Sequence, residues 1–543
     1  MGEEGTTALA SRTRSPKLLL ATRIASVVII TAVVSWFAWL SDDALITIRT
    51  ALNTVNGYGL VFNIDERVQA YTHPLWFAVL VAAGWLTGQW MLMPILLGIA
   101  ATAAATGIIV AHVAQVSRIA VLTVALVLSN SFVEYATSGL ENGLSYLLLA
   151  GLLVAAYRLL NKPTLGWAIG AGALTAALLL NRLDLILIIA PLGIYVAVRL
   201  RAHVSALIAM LVTAAVPVIG WFAFTLSYYG TLLPTTFTAK TNVDIPRAEL
   251  LVAGFRYLAA SFLYDPVTFL ILTTGAILAI VTGGIVTRLT LVGVGLYLAY
   301  IIWIGGDFMA GRFLAVPVFL TVAVLALERS GAFVTLLPGV NKRTARSGNR
   351  AVQRAAAISA AVLIVPMVLI GWGRSDLITP NLPNAERWDF WANGGVADER
   401  GFYMARGRGL WQYLGTLRPI SEPFVGENQP RPEGFRADLV QLQAAAANWP
   451  NRAVPDAVYV RCGGLGEGGI LAGPGAHYVD PCGLSDAFLA SLPYFARDFA
   501  WRPGHFNRFI PAGYLDAIAE GDPNLVEDEI LREQLIRTWE RIR

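Results

Sequence analysis

Apolar runs follow one another along the first two thirds of the chain, at about 18–40, 75–88, 93–113, 119–133, 143–157, 165–181, 184–199, 204–226, 266–284, 289–304, 313–327 and 355–373. No other feature narrows the fold as far. A bilayer crossing takes about 20 apolar residues, with roughly 17–25 the usual range, and a backbone inside lipid has to satisfy its own hydrogen bonds, as a helix does. The chain therefore reads as a polytopic α-helical membrane protein. Charged residues make up 14% of its 543 residues, whereas a soluble globular chain carries roughly 25%; a soluble cytoplasmic enzyme, a disordered chain and a fibrous repeat are excluded. The net charge of +4 does not point to nucleic acid, because the basic residues sit in short clusters between apolar stretches, where they report orientation in a membrane. The first run is longer than a secretory hydrophobic region, contains Arg23 and lacks a small-x-small cleavage site, so it reads as a span and not as a cleaved signal peptide.

Lys and Arg hold connections on the cytoplasmic side. Arg12, Arg14 and Lys17, then Arg158 with Lys162, Arg199 with Arg201, Arg288, and the run Lys342, Arg343, Arg346, Arg350 and Arg354 are all placed inside. Alternation then puts 41–74, 134–142, 182–184, 227–264, 305–312 and everything after 374 outside. Three apolar runs lie between the first two outside segments, where an even number of crossings is needed. The 14-residue run 75–88 reads as a short, partly inserted helix, which leaves about eleven crossings.

Residues 1–373 are thus expected to form a membrane unit and 374–543 a soluble extracytoplasmic unit. The tail mixes Gly/Pro turns (Gly463-Gly464, Gly473-Pro474-Gly475) with short apolar runs such as 457–460 and closes on an amphipathic helix from about 525 to 543, a pattern of α/β type. Both cysteines, Cys462 and Cys482, fall there. In an oxidising compartment they are expected to pair, stabilising the unit by ~3 kcal/mol in the chain-entropy model; without a nearby His pair they do not make a zinc site.

The first outside segment opens with Asp42-Asp43 at the end of a membrane helix. Two adjacent carboxylates there are costly if desolvated, so they either mark the headgroup boundary or belong to a site supplied with cations, a metal or water. Residues 44–56 have a helical pattern ending at Asn56-Gly57, as in a helix lying on the membrane surface. Further outside segments carry Glu141 in Ser138-Gly139-Leu140-Glu141, Arg182 with Asp184, Lys240, and Asp307 with Arg312 in Gly305-Gly306-Asp307-Phe308-Met309-Ala310-Gly311-Arg312. Each alone has a bland reading, Arg182–Asp184 as a structural ion pair and Lys240 as a headgroup contact. One topology nevertheless puts all of them, with Asp42 and Asp43, at the same membrane face. Such a face suits a lipid phosphate at headgroup depth: Lys240, Arg312 and Arg182 can neutralise a leaving phosphate while a carboxylate deprotonates an acceptor hydroxyl. That is the chemistry of glycosyl transfer from a polyprenyl-phosphate sugar. Arg49, Glu66, Tyr71, His73, Glu141, Asp184 and Asp307 are the candidate substrate contacts. His505 also lies outside, open to a packing role, whereas His112 and His203 sit near cytoplasmic ends.

The pattern D-D-x-L-I-x-x-R-T-x-x-N-x-x-x-G-x-G-x-V-F-N-x-x-E-R-V from Asp42 to Val68 resembles the first loop of the terminal arabinofuranosyltransferases of mycobacterial cell-wall arabinan, within the GT-C superfamily of polytopic glycosyltransferases. The later S-G-L-E, A-K and G-G-D-F-M-x-G-R-F elements resemble the wider bacterial group containing those enzymes. The resemblance implies a GT-C membrane fold, decaprenyl-phosphate arabinofuranose as donor, and a hydroxyl of an arabinan or another outer-face glycan as acceptor, with the tail as a candidate for holding it. It also implies a catalytic Asp in the acidic motif, Asp43 first and Asp42 second. Tyr71-Thr72-His73-Pro74-Leu75-Trp76 departs from the arabinan enzymes toward the T-N-P-L-W of the wider group. Transfer of mannose or another hexose stays open, as does a lipid-linked sugar transporter, although transporters place ionisable sites near the midplane. No cofactor is fixed: Asp42, Asp43 and Asp307 can offer hard oxygen ligands to Mg²⁺, Mn²⁺ or Ca²⁺, and Lys240 with Arg312 can stabilise a phosphate without a metal.

Overall fold

The computed structural model describes residues 16–328, 395–415, 437–449, 457–495 and 501–543. The membrane unit is built from α1 (Pro16–Trp36), α2 (Asp42–Val55), α3 (Pro74–Thr87), α4 (Leu92–His112), α5 (Val116–Leu128), α6 (Asn130–Tyr135), α7 (Asn142–Asn161) and α8 (Leu165–Asn181). It continues through α9 (Ile186–Leu200), α10 (Val204–Tyr229), α11 (Thr235–Thr241), α12 (Arg247–Tyr264), α13 (Pro266–Thr282), α14 (Ile285–Trp303) and α15 (Ala315–Leu327). Among the described residues six helices are long and apolar enough to cross a membrane: α1, α4, α7, Leu183–Leu200, α10 and α14. The pair α12 and α13, bent by 108°, makes a seventh if counted as one span. α3, α5, α8 and Arg312–Leu327 are shorter apolar helices. Six or seven helices therefore meet the length criterion, against about eleven expected crossings; the run 355–373 and the basic cluster 342–354 lie outside the described residues. Helix α12 went unread in the sequence because Arg247, Glu249 and Arg256 interrupt its apolar pattern.

Lipid gives apolar side chains no reason to leave it for one another, so helix pairs are held by close backbone approach. Glycine supplies that approach at several crossings, two of which show it clearly. A Cβ on Gly172 of α8 would lie 2.3 Å from Met210 O of α10, and one on Gly293 of α14 would lie 2.0 Å from Ile188 O of α9. Both pairs pack extensively. α15 is buried along almost its whole length, against α5, α7 and α13.

The helix over α2 forms as expected, with Ser41 Oγ accepting from Ala44 N at 3.3 Å and Asp42 and Asp43 in the first turn, where the helix dipole favours carboxylates. It does not lie on a membrane surface. Eleven of its 14 residues are buried, because α3 packs on it from one side and the tail helix Leu465–Ala472 from another. Two features make the second contact tight. A Cβ on Gly466 would fall 2.2 Å from Asp42 O. The Arg49 side chain, fully buried, donates from Nε to Phe62 O at 2.9 Å, from Nη1 to Gly469 O at 2.9 Å and from Nη2 to Ala476 O at 2.6 Å.

The tail is woven into the membrane unit and does not stand apart from it. Strand Tyr494–Phe495 pairs in parallel with Val243–Asp244, Trp39 bridges Gly409, and Leu439, Leu442, Trp449 and Ile470 share one core cluster with α1, α2 and α4. A second parallel pair, Ala457–Val460 with Ala476–Val479, and the closing helix Glu529–Ile542 give the tail its α/β character. Cys462 and Cys482 are joined as a disulfide. Gly466→Ala is expected to destabilise the folded protein by about 1–3 kcal/mol through overpacking, whereas Gly166→Ala in α8, which meets nothing within 4 Å, should leave stability unchanged or raise it by up to about 1 kcal/mol. Thermal melts of the purified variants in one detergent check both signs.

Candidate active site

Four segments of the membrane unit and two of the tail converge beside the start of α2. Neighbours in a helix point about 100° apart, and this separates the two aspartates. Asp42 turns to the tail: its Oδ2 accepts from Gly466 N at 3.0 Å, its Oδ1 from Glu467 N at 2.8 Å, and Arg408 Nη1 stands 3.8 Å away. Both oxygens cap the tail helix. Asp43 turns to the site, with 33% of its side chain accessible and its Oδ2 3.4 Å from Arg312 Nη1.

Arg312 is the hub. Its Nη1 lies 3.7 Å from Asp307 Oδ2 and its Nη2 4.0 Å from Glu141 Oε1. The Gly-rich loop explains the placement: Gly305, Gly306 and Gly311 all have positive φ, the region glycine enters without strain, and a Cβ on Gly306 would strike Tyr257 Cβ at 2.4 Å. Glu141 also meets His73 Nδ1 at 3.4 Å and Arg182 Nη1 at 3.3 Å, while His73 Nε2 bonds Thr47 Oγ1 at 2.9 Å. Arg182 forms a two-point pair with Asp184, Nε to Oδ1 at 3.1 Å and Nη2 to Oδ2 at 2.5 Å, and donates to Tyr297 OH at 3.0 Å. Lys240, on α11, is exposed at the mouth and interacts electrostatically with Asp43.

Several buried polar atoms of this cluster have no hydrogen-bond partner: Glu141 Oε2, Arg182 Nη1, Asp307 Oδ2, Arg312 Nε and His505 Nδ1. Orphaned buried groups are expensive, about 1–3 kcal/mol each and more when charged; Glu141 Oε2, Arg182 Nη1 and Asp307 Oδ2 keep only ion-pair contacts of 3.3–3.7 Å. Such a cluster retains hydrogen-bonding capacity for a polar, charged ligand.

Partial burial, which leaves a third of the side chain accessible, raises the Asp43 carboxyl above its ordinary value even though Arg312 and Lys240 pull it down. For Glu141 burial pushes up, but His73, Arg182 and Arg312 bring it below the usual range, while burial lowers His73 itself. A carboxylate serving as a base has to be deprotonated to act, so with Asp43 in that role activity is expected to fall as pH drops through its raised pKa. The acid limb of kcat/KM should therefore sit above the 3.8 of an unperturbed Asp, and Arg312→Gln should move it further up by removing the cation that lowers it. A pH profile of both proteins over about pH 4–9 reads the shift.

Not every expected residue reaches this space. Asp42 and Arg49 are occupied at the contact between α2 and the tail. Tyr71 stacks on Phe77 with its hydroxyl 3.1 Å from that of Tyr229. Glu66 accepts from Asn63 Nδ2 at 2.8 Å, and Asn63 in turn accepts from Tyr478 N at 3.0 Å, so this part of the first loop fastens the tail. Burial drives Glu66 up to about 8. The ligand trio Asp42, Asp43 and Asp307 does not converge either, since Asp42 faces away and Arg312 stands between the other two. Two tail residues absent from the sequence reading join the cluster instead. Glu399, buried, and Arg502 interact with each other, with Asp43 and with Asp307. Burial raises Glu399 to about 8. Nothing in spacing or pattern marks them, since both are far from the acidic motif along the chain.

No protein-family model matches this chain, and no solved structure does. Two curated proteins are similar to it. The Terminal beta-(1->2)-arabinofuranosyltransferase of Corynebacterium glutamicum is 31% identical over 331 residues, 52% of this chain and 46% of the relative. The protein of the same name from Mycobacterium tuberculosis is 27% identical over 418 residues, 67% of this chain and 62% of the relative. The chain thus resembles these transferases while spanning less than two thirds of the length of either.

Proposed function

We propose that this chain is a GT-C type membrane glycosyltransferase that moves arabinofuranose from decaprenyl-phosphate arabinofuranose to a hydroxyl of an outer-face glycan such as cell-wall arabinan, with its site at the extracytoplasmic face of the cell membrane. One observation carries the reading: a partly exposed carboxylate, Asp43, set 3.4 Å from Arg312, in a cluster of ion pairs several of whose buried polar atoms lack a hydrogen bond. A boundary pair of acids needs no such cluster. The similarity to the two arabinofuranosyltransferases favours this sugar.

In the proposed reaction the acceptor oxygen attacks the anomeric carbon, the bond from that carbon to the phosphate oxygen breaks, and Asp43 takes the hydroxyl proton. The leaving polyprenyl phosphate gains a negative charge. Arg312, with Lys240 at the mouth, meets that charge as it develops, so these contacts strengthen toward the transition state. Arg182 is held by Asp184, Tyr297 and Glu141 and orients Glu141, which in turn fixes Arg312. No step calls for a metal.

Purified protein incubated with polyprenyl phosphates carrying arabinofuranose, mannose or glucose, together with a glycan acceptor, tests the sugar. Consumption of the arabinofuranose donor is the expected result. Preferential use of a hexose donor would replace the sugar but keep the reaction, and inertness toward all of them would reject the reading.

A further inference from the structure

We infer that Glu399 and Arg502, both from the tail, form the acceptor side of the site and bind the hydroxyls of a glycan that reaches Asp43 through the seam between tail and membrane unit. The inference rests on the glycosyl-transfer reading and adds to it the residues that would hold the second substrate.

The backbone around Glu399 is fixed to the motif loop. Ala397 N donates to Phe308 O at 2.8 Å, and Ala310 N donates to Ala397 O at 3.0 Å, so 397–399 runs beside the stretch from Asp307 to Arg312. Asp398 then starts the helix Glu399–Met404: its Oδ1 accepts from Gly401 N at 2.8 Å and from Tyr264 OH at 3.2 Å. Arg400 Nε donates to Phe37 O at 3.0 Å. With neighbours on both sides tied down, the Glu399 side chain has a determined place, where Arg502, Asp43, Asp42 and Asp307 are its charged surroundings. Arg502 lies over the Phe308 ring at 5.1 Å, and His505 meets the same ring edge-on at 4.5 Å.

The location decides which substrate these groups serve. The donor is a lipid, so its phosphate comes from the membrane side, where Arg312, Arg182 and Glu141 stand at the ends of spans and apolar helices. Glu399 and Arg502 come from the tail, and the Ala397 backbone pairing and the Phe308 ring hold them beside the loop from Asp307 to Arg312. A carboxyl and a guanidinium together match a sugar, whose hydroxyls both donate and accept. A proton leaving an acceptor hydroxyl for Asp43 requires the acceptor to lie between them.

The test uses the full chain in detergent and a synthetic arabinofuranose oligosaccharide, with two readouts: binding of the oligosaccharide without donor, and transfer from decaprenyl-phosphate arabinofuranose with each substrate varied in turn. Glu399→Ala and Arg502→Ala are expected to weaken oligosaccharide binding and raise acceptor KM ~10-fold or more, about the loss of one or two hydrogen bonds, with donor KM within ~2-fold of wild type. Glu399→Gln should recover most of the loss, because an amide still bonds hydroxyls. Acceptor parameters unchanged in both Ala variants, or donor KM rising in parallel with acceptor KM, would overturn the assignment, as would a wild type that does not bind the oligosaccharide. Wild-type binding without transfer would instead defeat the donor reading and leave the binding site standing. If Glu399→Ala does not fold, Arg502→Ala decides alone.

Discussion

Asp43→Asn is expected to reduce turnover at least ~100-fold, the lower range for losing acid–base catalysis, in a protein that folds and binds donor normally. The side chain keeps its size and can still meet Arg312 through its amide oxygen, so the change removes the proton acceptor and little else. The neighbouring substitution separates chemistry from architecture. Asp42 accepts from the Gly466 and Glu467 amides and faces Arg408; Asp42→Asn replaces a charge-assisted cap by a neutral one and turns an NH₂ toward a backbone donor. It should lower the melting temperature and leave the turnover of the remaining folded protein largely intact. Single-turnover rates beside melting curves for the two variants give the answer, and equal kinetic defects would mean that the pair acts as one unit.

Arg312→Ala carries the second large effect. The guanidinium lies within 3.4–4.0 Å of Asp43, Asp307 and Glu141, and its Nε is buried without a partner. Three carboxylates around one cation leave the site net negative, which a phosphate would not enter unless Lys240 and Arg182 contribute as well. Removing Arg312 should cost about 10²–10³ in kcat, as for the loss of a preorganised donor to a developing charge. The change in donor affinity should be smaller, because the contact grows as the phosphate leaves. Arg312→Lys should rescue only in part, since an ammonium lacks the planar fork. If Arg312 served only to brace Asp307, single-turnover rates of the folded Ala variant would match wild type.

How much of this was legible in the sequence follows from what each residue depends on. One rule, that basic loops stay inside, brings Glu141, Arg182, Asp184, Asp307 and Arg312 to one face, and the structure links them in a chain of ion pairs. The Arg182–Asp184 pair needed only their proximity in the chain. Asp42, Arg49, Glu66 and Tyr71 were grouped with the site because they are near Asp43 along the chain, yet helix periodicity sends Asp42 and Arg49 toward the tail, and the loop 63–67 follows them there. A linear motif records that residues are needed together, not that they face the same space. Glu399 and Arg502 fail in the opposite sense: they reach Asp43 through the backbone bridge of Ala397 to Phe308 and Ala310, a tertiary contact that no local pattern announces. Helix α2 was found and misplaced for the same reason, since an amphipathic face predicts burial without saying against what.

Following a radiolabelled sugar through a single turnover is the most direct test of glycosyl transfer at Asp43. Purified wild-type protein in excess over decaprenyl-phosphate arabinofuranose labelled in the sugar, with an arabinan oligosaccharide present, should move the label onto the oligosaccharide and release unlabelled decaprenyl phosphate, while Asp43→Asn leaves the label on the lipid. Label that stays on the lipid with the wild type, or that moves equally fast with Asp43→Asn, would contradict transfer at Asp43.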